Sequence, residues 1–140
     1  MTENLTKGET VDERKVVILC VDDEENPLIL RKLVLQKAGY DVVTANSGRT
    51  ALDVLQSQSV DLVLSDLLMP GMTGTELARQ IKDRHPKLPV VLVSGVNEIP
   101  PDASYADLFL SKVEGPVSLC ENVSAVLGRH NISDGASRRQ

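Results

Sequence analysis

The chain is poor in aromatic side chains: among 140 residues there is no tryptophan, one phenylalanine and two tyrosines. A core must therefore be assembled from Val, Leu, Ile and Ala. Cysteine is scarce too. Cys20 and Cys120 are the only two, each in an apolar run, and they read as buried thiols in a reducing compartment, not as a disulfide framework. No apolar run reaches the length of a membrane-spanning helix. The first fifteen residues, MTENLTKGETVDERK, lack the apolar stretch of a secretory signal. A cytoplasmic location is the expectation. Positive charge is not in surplus either: 15 Lys and Arg face 20 Asp and Glu, a net charge of −5. Both a nonspecific nucleic-acid surface and a polybasic membrane contact need the opposite balance.

What is present is a hydrophobic content of 41%, enough for one well-filled domain. Residues 1–14 and 129–140 are polar and without apolar periodicity, and read as flexible tails around a domain at 15–128. Within it, apolar runs alternate with helical patterns. VVILCV (16–21) is a continuous β-branched run, the mark of a strand covered on both faces. Asn26 and Pro27 read as the N-cap and first residue of a helix whose stripe is Leu30, Leu33, Val34 and Ala38, ended by Gly39. DVVTA (41–45) is a second strand, nearer an edge. Ser47 caps a helix with Ala51, Leu52 and Leu55 on one face. VDLVLS (60–65) is a third strand, ending at Asp66. Thr73 and Glu76 have capping-box spacing, Met72 can staple to Leu77, and Leu77, Ala78 and Ile81 form the stripe. LPVVLVS (88–94) and ADLFLSK (106–112) are further strands. Pro116 opens a last helix with Val117, Cys120, Val123 and Leu127 inward. The pattern predicts a doubly wound α/β fold with a five-stranded parallel sheet.

Such sheets bind ligands beyond the carboxyl ends of their strands. The first strand ends at Asp22 and Asp23, the third at Asp66, the fourth at Ser94 and Gly95, and the fifth at Lys112. Each alone has an ordinary structural reading, as a cap, a turn residue, a small buried residue or a surface lysine. Together they gather three carboxylates, a hydroxyl and an ammonium along one edge. Close carboxylates repel, and a hard divalent ion resolves that repulsion; carboxylate, carbonyl and water suit Mg²⁺. Mg²⁺ in turn suits phosphate chemistry. Asp66 can then serve as a nucleophile that forms an aspartyl-phosphate, with Lys112 and Ser94 as donors to its oxygens.

These residues also resemble a known family. VDDEENP, SDLLMPGMTG with its D-x-x-M-P-x-x-x-G shape, the SG after the fourth strand and the lysine of FLSK are similar, in that order, to the receiver domains of two-component response regulators. The resemblance covers about residues 15–128. It implies the flavodoxin-like strand order 2-1-3-4-5 and a phosphoacceptor switch instead of an enzyme proper. Asp66 would take a phosphoryl group from a histidine kinase or a histidine phosphotransfer protein, and the output partner would be an unknown protein. Mg²⁺ would be bound by Asp23 and Asp66, by Asp22 partly through water, and by the backbone carbonyl of Leu68. Ser94, Gly95 and Lys112 would hold the phosphate. Ser94 and Phe109 would form the switch, and Gly74 would allow close packing after the phosphoacceptor loop.

The chain departs from the family pattern in places. Pro100 and Pro101 bar a continuous helix through them, so the fourth helix is expected to be one turn or a loop and the output face unusual. Val113 stands where a cis-proline is usual. Leu68 and Val96, each two residues after a site residue, are apolar and cannot orient a hydrolytic water, which predicts slow self-dephosphorylation. Phe109 lacks a tyrosine's hydroxyl, which favours its inward rotamer. The alternative function is a pseudo-receiver that binds proteins without phosphorylation. A phosphatase with an Asp nucleophile needs D-x-D-x-T, whereas Leu, Leu, Met and Pro follow Asp66; His85 and His130 lie away from the strand ends. Too few residues follow position 128 for a DNA-binding domain, so the expectation is a stand-alone receiver or one cut from a larger protein.

Overall fold

Five short aliphatic runs pair side by side, because each carries apolar residues on both faces and can be satisfied only between two layers of helices. A computed structural model describes residues 15–95, 105–112 and 114–130. In chain order the elements are β1 (Val17–Val21), α1 (Glu25–Lys37), β2 (Asp41–Ala45), α2 (Gly48–Ser57), β3 (Leu62–Asp66), α3 (Gly74–Arg84), β4 (Val90–Ser94), β5 (Leu108–Ser111) and α4 (Pro116–His130). The sheet runs β2-β1-β3-β4-β5, and every pairing is parallel. This is the expected doubly wound order, with DVVTA at an edge. The expected degenerate helix around Pro100 and Pro101, the residues Val96 and Val113, and most of the two expected tails fall outside the described residues. The last helix runs to His130, past the expected boundary at 128.

Alternation along the strands splits the core in two. Leu19, Val21, Val63 and Leu92 face one layer, where Ala51, Leu52 and Leu55 of α2 and Leu77, Ala78 and Ile81 of α3 cover them. Ile18, Cys20, Leu62, Leu64 and Val91 face the other, under Leu28 and Leu35 of α1 and Val123 and Val126 of α4. Burial of each such aliphatic side chain is worth about 1.5–3 kcal/mol. Cys20 is inside this second core, and burial pushes its thiol up to about 12. Cys120 is only half-buried, so one of the two thiols is less enclosed than the sequence suggested, and both are free. Among the described residues no helix is long and apolar enough to cross a membrane.

Helices α2 and α3 start as their sequences indicate. The Ser47 hydroxyl accepts from the Thr50 N–H at 3.1 Å, and the Thr73 hydroxyl accepts from the Glu76 N–H at 3.1 Å. Met72 packs against the cluster that contains Leu77. Helix α1 differs. Its N-cap is Glu24, not Asn26, so Pro27 occupies the third helical position. That is tolerated because the first-turn N–H groups have no intrahelical partner to lose. Its buried residues are Leu28 and Leu35, while Leu30 is 61% and Leu33 56% exposed. The stripe expected from Leu30, Leu33, Val34 and Ala38 is therefore mostly the outer face. Apolar residues surround this helix, so periodicity alone does not choose a side. Gly39 does close it, with φ +107. In α4, Val117 is 71% exposed and not inward. It sits roughly a third of a turn off the stripe centred on Val123.

At the amino edge of the sheet, Lys82 Nζ at the end of α3 donates to the Leu88 carbonyl at 2.7 Å and to Asp107 Oδ2 at 2.8 Å. The same Asp107 oxygen accepts from the Val90 N–H at 2.7 Å. This clasp joins α3 to the bases of β4 and β5.

Candidate functional site

The carboxyl ends of the strands are held in step by backbone bonds that continue each ladder. Asp22 N–H donates to the Ala45 carbonyl at 3.2 Å, Leu67 N–H to Val93 at 2.9 Å, and Lys112 N–H to Ser94 at 2.8 Å. Register alone thus brings the residues at the ends of β1, β3 and β5 to one edge. Asp22, Asp23 and Asp66 each place a carboxylate oxygen so that the three lie within 4.8 Å of one another. Asp22 and Asp66 are buried, at 1% and 3% exposure, and Asp23 is exposed. Lys112 reaches in from β5, its Nζ 2.7 Å from Asp66 Oδ1.

Helix α3 abuts this edge. The Gly74 N–H donates to the Leu67 carbonyl at 2.7 Å. A Cβ at Gly74 would lie 2.4 Å from the Asp66 carbonyl oxygen and 3.0 Å from Leu67 Cα, so only glycine lets the helix start so close. The buried Ser65 hydroxyl donates to the same Asp66 carbonyl at 2.9 Å. The main chain at Asp66 is therefore fixed from both sides.

Burial pushes the Asp66 carboxyl above the ordinary carboxylate range; Lys112 pulls it back, and the Asp22 charge adds to the rise. Burial alone would lower the Lys112 ammonium, but the Asp66 and Asp22 carboxylates overcome this and hold it above the ordinary lysine value. The buried Oδ1 of Asp66 makes no regular hydrogen bond, so its compensation is the charge of Lys112. A buried carboxylate beside two further carboxylates fits a hard cation with oxygen preference.

The remaining expected residues lie at the end of β4, on β5 and in the loop after β3. Ser94 ends β4 opposite Ser111 of β5, half-buried, and Gly95 follows it. Phe109 is half-buried on β5, paired with Leu92 and packed against the α2/α3 core. The Leu68 side chain is exposed. His85 lies just past α3 at the opposite end of the sheet from the acids. One participant escaped the sequence reading. Arg31 of α1 donates from Nη1 to Asp22 Oδ2 at 2.8 Å, and its side chain is only 13% exposed. Its signal depends on the face of α1: once Leu28 and Leu35 are inward, residues 31 and 32 lie on the same stripe.

A parallel doubly wound sheet with convergent acids and an ammonium at its carboxyl edge defines a ligand site at a topological switch point. The chain belongs to the response regulator receiver domain family, whose sequence model matches residues 18–123. The alkaline phosphatase synthesis transcriptional regulatory protein PhoP of Bacillus subtilis is 30% identical over 124 residues, covering 86% of this chain and 52% of PhoP. The DNA-binding transcriptional regulator NtrC of Klebsiella pneumoniae is 39% identical over 79 residues, covering 56% of this chain and 17% of NtrC. The chain thus spans about half or less of these relatives. Among solved structures, the response regulator TrrA of Thermotoga maritima, in complex with Mg²⁺ and BeF, is 35% identical with a TM-score of 0.74, covering 79% of this chain and 97% of TrrA. A receiver domain from Clostridium thermocellum gives a TM-score of 0.78 at 26% identity, covering 84% of this chain and 98% of that one. Receiver domains accept phosphate from histidine kinases and use Mg²⁺ at an acidic pocket; this chain has the acidic cluster.

Proposed function

We propose that the domain is a phosphoacceptor switch in which Asp66 takes a phosphoryl group from a phosphohistidine on a kinase or phosphotransfer protein. The observation that carries this reading is the convergence of Asp22, Asp23 and Asp66 within 4.8 Å, with Lys112 at 2.7 Å from Asp66. An Asp66 carboxylate oxygen attacks phosphorus, the P–N bond of the donor breaks, and the departing imidazole takes up a proton. Lys112 then exchanges its contact with the carboxylate for one with a phosphoryl oxygen, and the Ser94 hydroxyl supplies a second donor. Gly95 leaves room for the phosphoryl group behind Ser94. Asp22, Asp23, Asp66 and the Leu68 carbonyl would hold Mg²⁺, which supplies positive charge for the phosphoryl oxygens.

Ser94 and Phe109 lie on adjacent strands next to Lys112. A pull of the Ser94 hydroxyl toward phosphate opens space that Phe109 fills from its half-buried position. The apolar Leu68 side chain offers no group to orient water, which favours a long-lived acyl phosphate. The test is incubation with a small phosphoryl donor such as acetyl phosphate or phosphoramidate and Mg²⁺, followed by intact-mass analysis. Incorporation of one phosphoryl group, lost in Asp66→Asn and on chelation of Mg²⁺, is expected. No incorporation by the native chain would refute the switch and leave a phosphorylation-independent interaction module.

A further inference from the structure

We propose that Arg31 is a positioning residue of the acidic site: a built-in counter-ion that engages Asp22, holds the metal-free pocket together and sets its affinity for a divalent cation. The inference rests on the reading that the three acids bind such a cation.

An arginine two turns into α1 has no packing reason to face inward. Its neighbours on that stripe, Leu28 and Leu35, are buried aliphatics. Helical side chains lean toward the helix amino terminus, which carries the guanidinium back over the end of β1. There it meets Asp22 at 2.8 Å. The other oxygen of Asp22, Oδ1, accepts from the Glu24 N–H at 2.9 Å. Both oxygens of this buried acid are thus already engaged by the protein. Asp23, by contrast, makes no hydrogen bond or ion pair among the described residues, and Asp66 Oδ1 has only the charge of Lys112.

Two consequences follow. Direct ligation falls to Asp23 and Asp66, while Asp22 acts through its remaining lone pairs or through water. The charge facing an incoming cation is also reduced, because Arg31 and Lys112 together offset two of the three carboxylates. A divalent ion must bind against a resident positive charge close by, and at such short range, partly buried, that repulsion is only weakly screened. Without Arg31 the pocket carries one more net negative charge, a buried Asp22 left uncompensated, and a stronger demand for a cation.

The experiment is calorimetric titration of the full chain with MgCl₂, comparing the native protein, Arg31→Gln and Arg31→Lys, with thermal melting in EDTA and in Mg²⁺. Arg31→Gln is expected to bind Mg²⁺ about tenfold more tightly, to melt earlier in EDTA, and to gain more from Mg²⁺ than the native chain does. Arg31→Lys keeps the charge and is expected to stay within about twofold of native affinity. An Arg31→Gln chain that folds only with Mg²⁺ also supports the proposal; one that stays unfolded with Mg²⁺ makes Arg31 a purely structural residue and overturns it. Equal or weaker Mg²⁺ binding by Arg31→Gln, beside normal binding by the native chain, overturns the proposal alone. Absence of binding by all three proteins overturns the divalent site itself.

Discussion

Helices α1 and α3 both pack beside the acidic edge, but they reach it differently. Helix α3 has a side-chain cap, a clean apolar stripe and a glycine pressed against Asp66. Helix α1 has an N-cap residue whose side chain makes no capping bond, an outer face rich in leucine and an arginine turned inward. Helix α3 is built for packing, and its relation to the site runs through backbone contact. Helix α1 gives up an apolar position so that a charge can reach the site. A helix can thus serve a site by rigidity or by electrostatics, and its sequence pattern is clean only in the first case.

Mutations can break or sharpen this contrast. The largest effect is expected from Leu77→Ala, which empties a fully buried position on α3: about 2–5 kcal/mol of stability should be lost, measured by urea unfolding. Gly74→Ala forces a Cβ onto the Asp66 carbonyl and the Leu67 main chain, neither of which can yield as a side chain could. A loss of about 1–3 kcal/mol is expected in the same assay. Thr73→Ala removes the α3 cap for about 1 kcal/mol, whereas Glu24→Ala, at an N-cap without a side-chain bond, should be nearly silent. Smallest is Leu30→Ala on the exposed face of α1, expected to stay within about 0.5 kcal/mol. A large loss at Leu30 would mean that the outer face of α1 is covered.

The parts legible in the sequence share one property: a single physical pattern determines them. Strands β1, β3 and β4 are built on short continuous apolar runs, and a parallel sheet between helices buries such runs on both faces. The acids, Ser94 and Lys112 followed from the strand ends because register places them. Ser47 and Thr73 were read from capping chemistry. What escaped had two competing solutions. In α1, Leu28, Leu30, Leu33 and Leu35 cover most of the circumference, so the buried side was decided by tertiary packing. Asn26–Pro27 is a good helix start locally, but the helix begins two residues earlier, where the Asp22 carboxylate takes the Glu24 N–H. Val117 belongs to an apolar sequence yet lies off the stripe that meets the sheet. Arg31 carries no sequence signal of its own, because a charged residue in a helix is ordinarily solvated and only the choice of face turns it inward.

Strand β5 leads into Lys112, the partner of Asp66, at one end and is clasped at the other by Lys82, Asp107 and the Val90 N–H. It is tethered like a reed in its socket. Force applied at Lys112 cannot slide the strand along its neighbour without breaking that half-buried clasp, so the response open to it is bending. Any bend falls between the clasped base and the Lys112 end, and Phe109 is the large side chain on the strand between them.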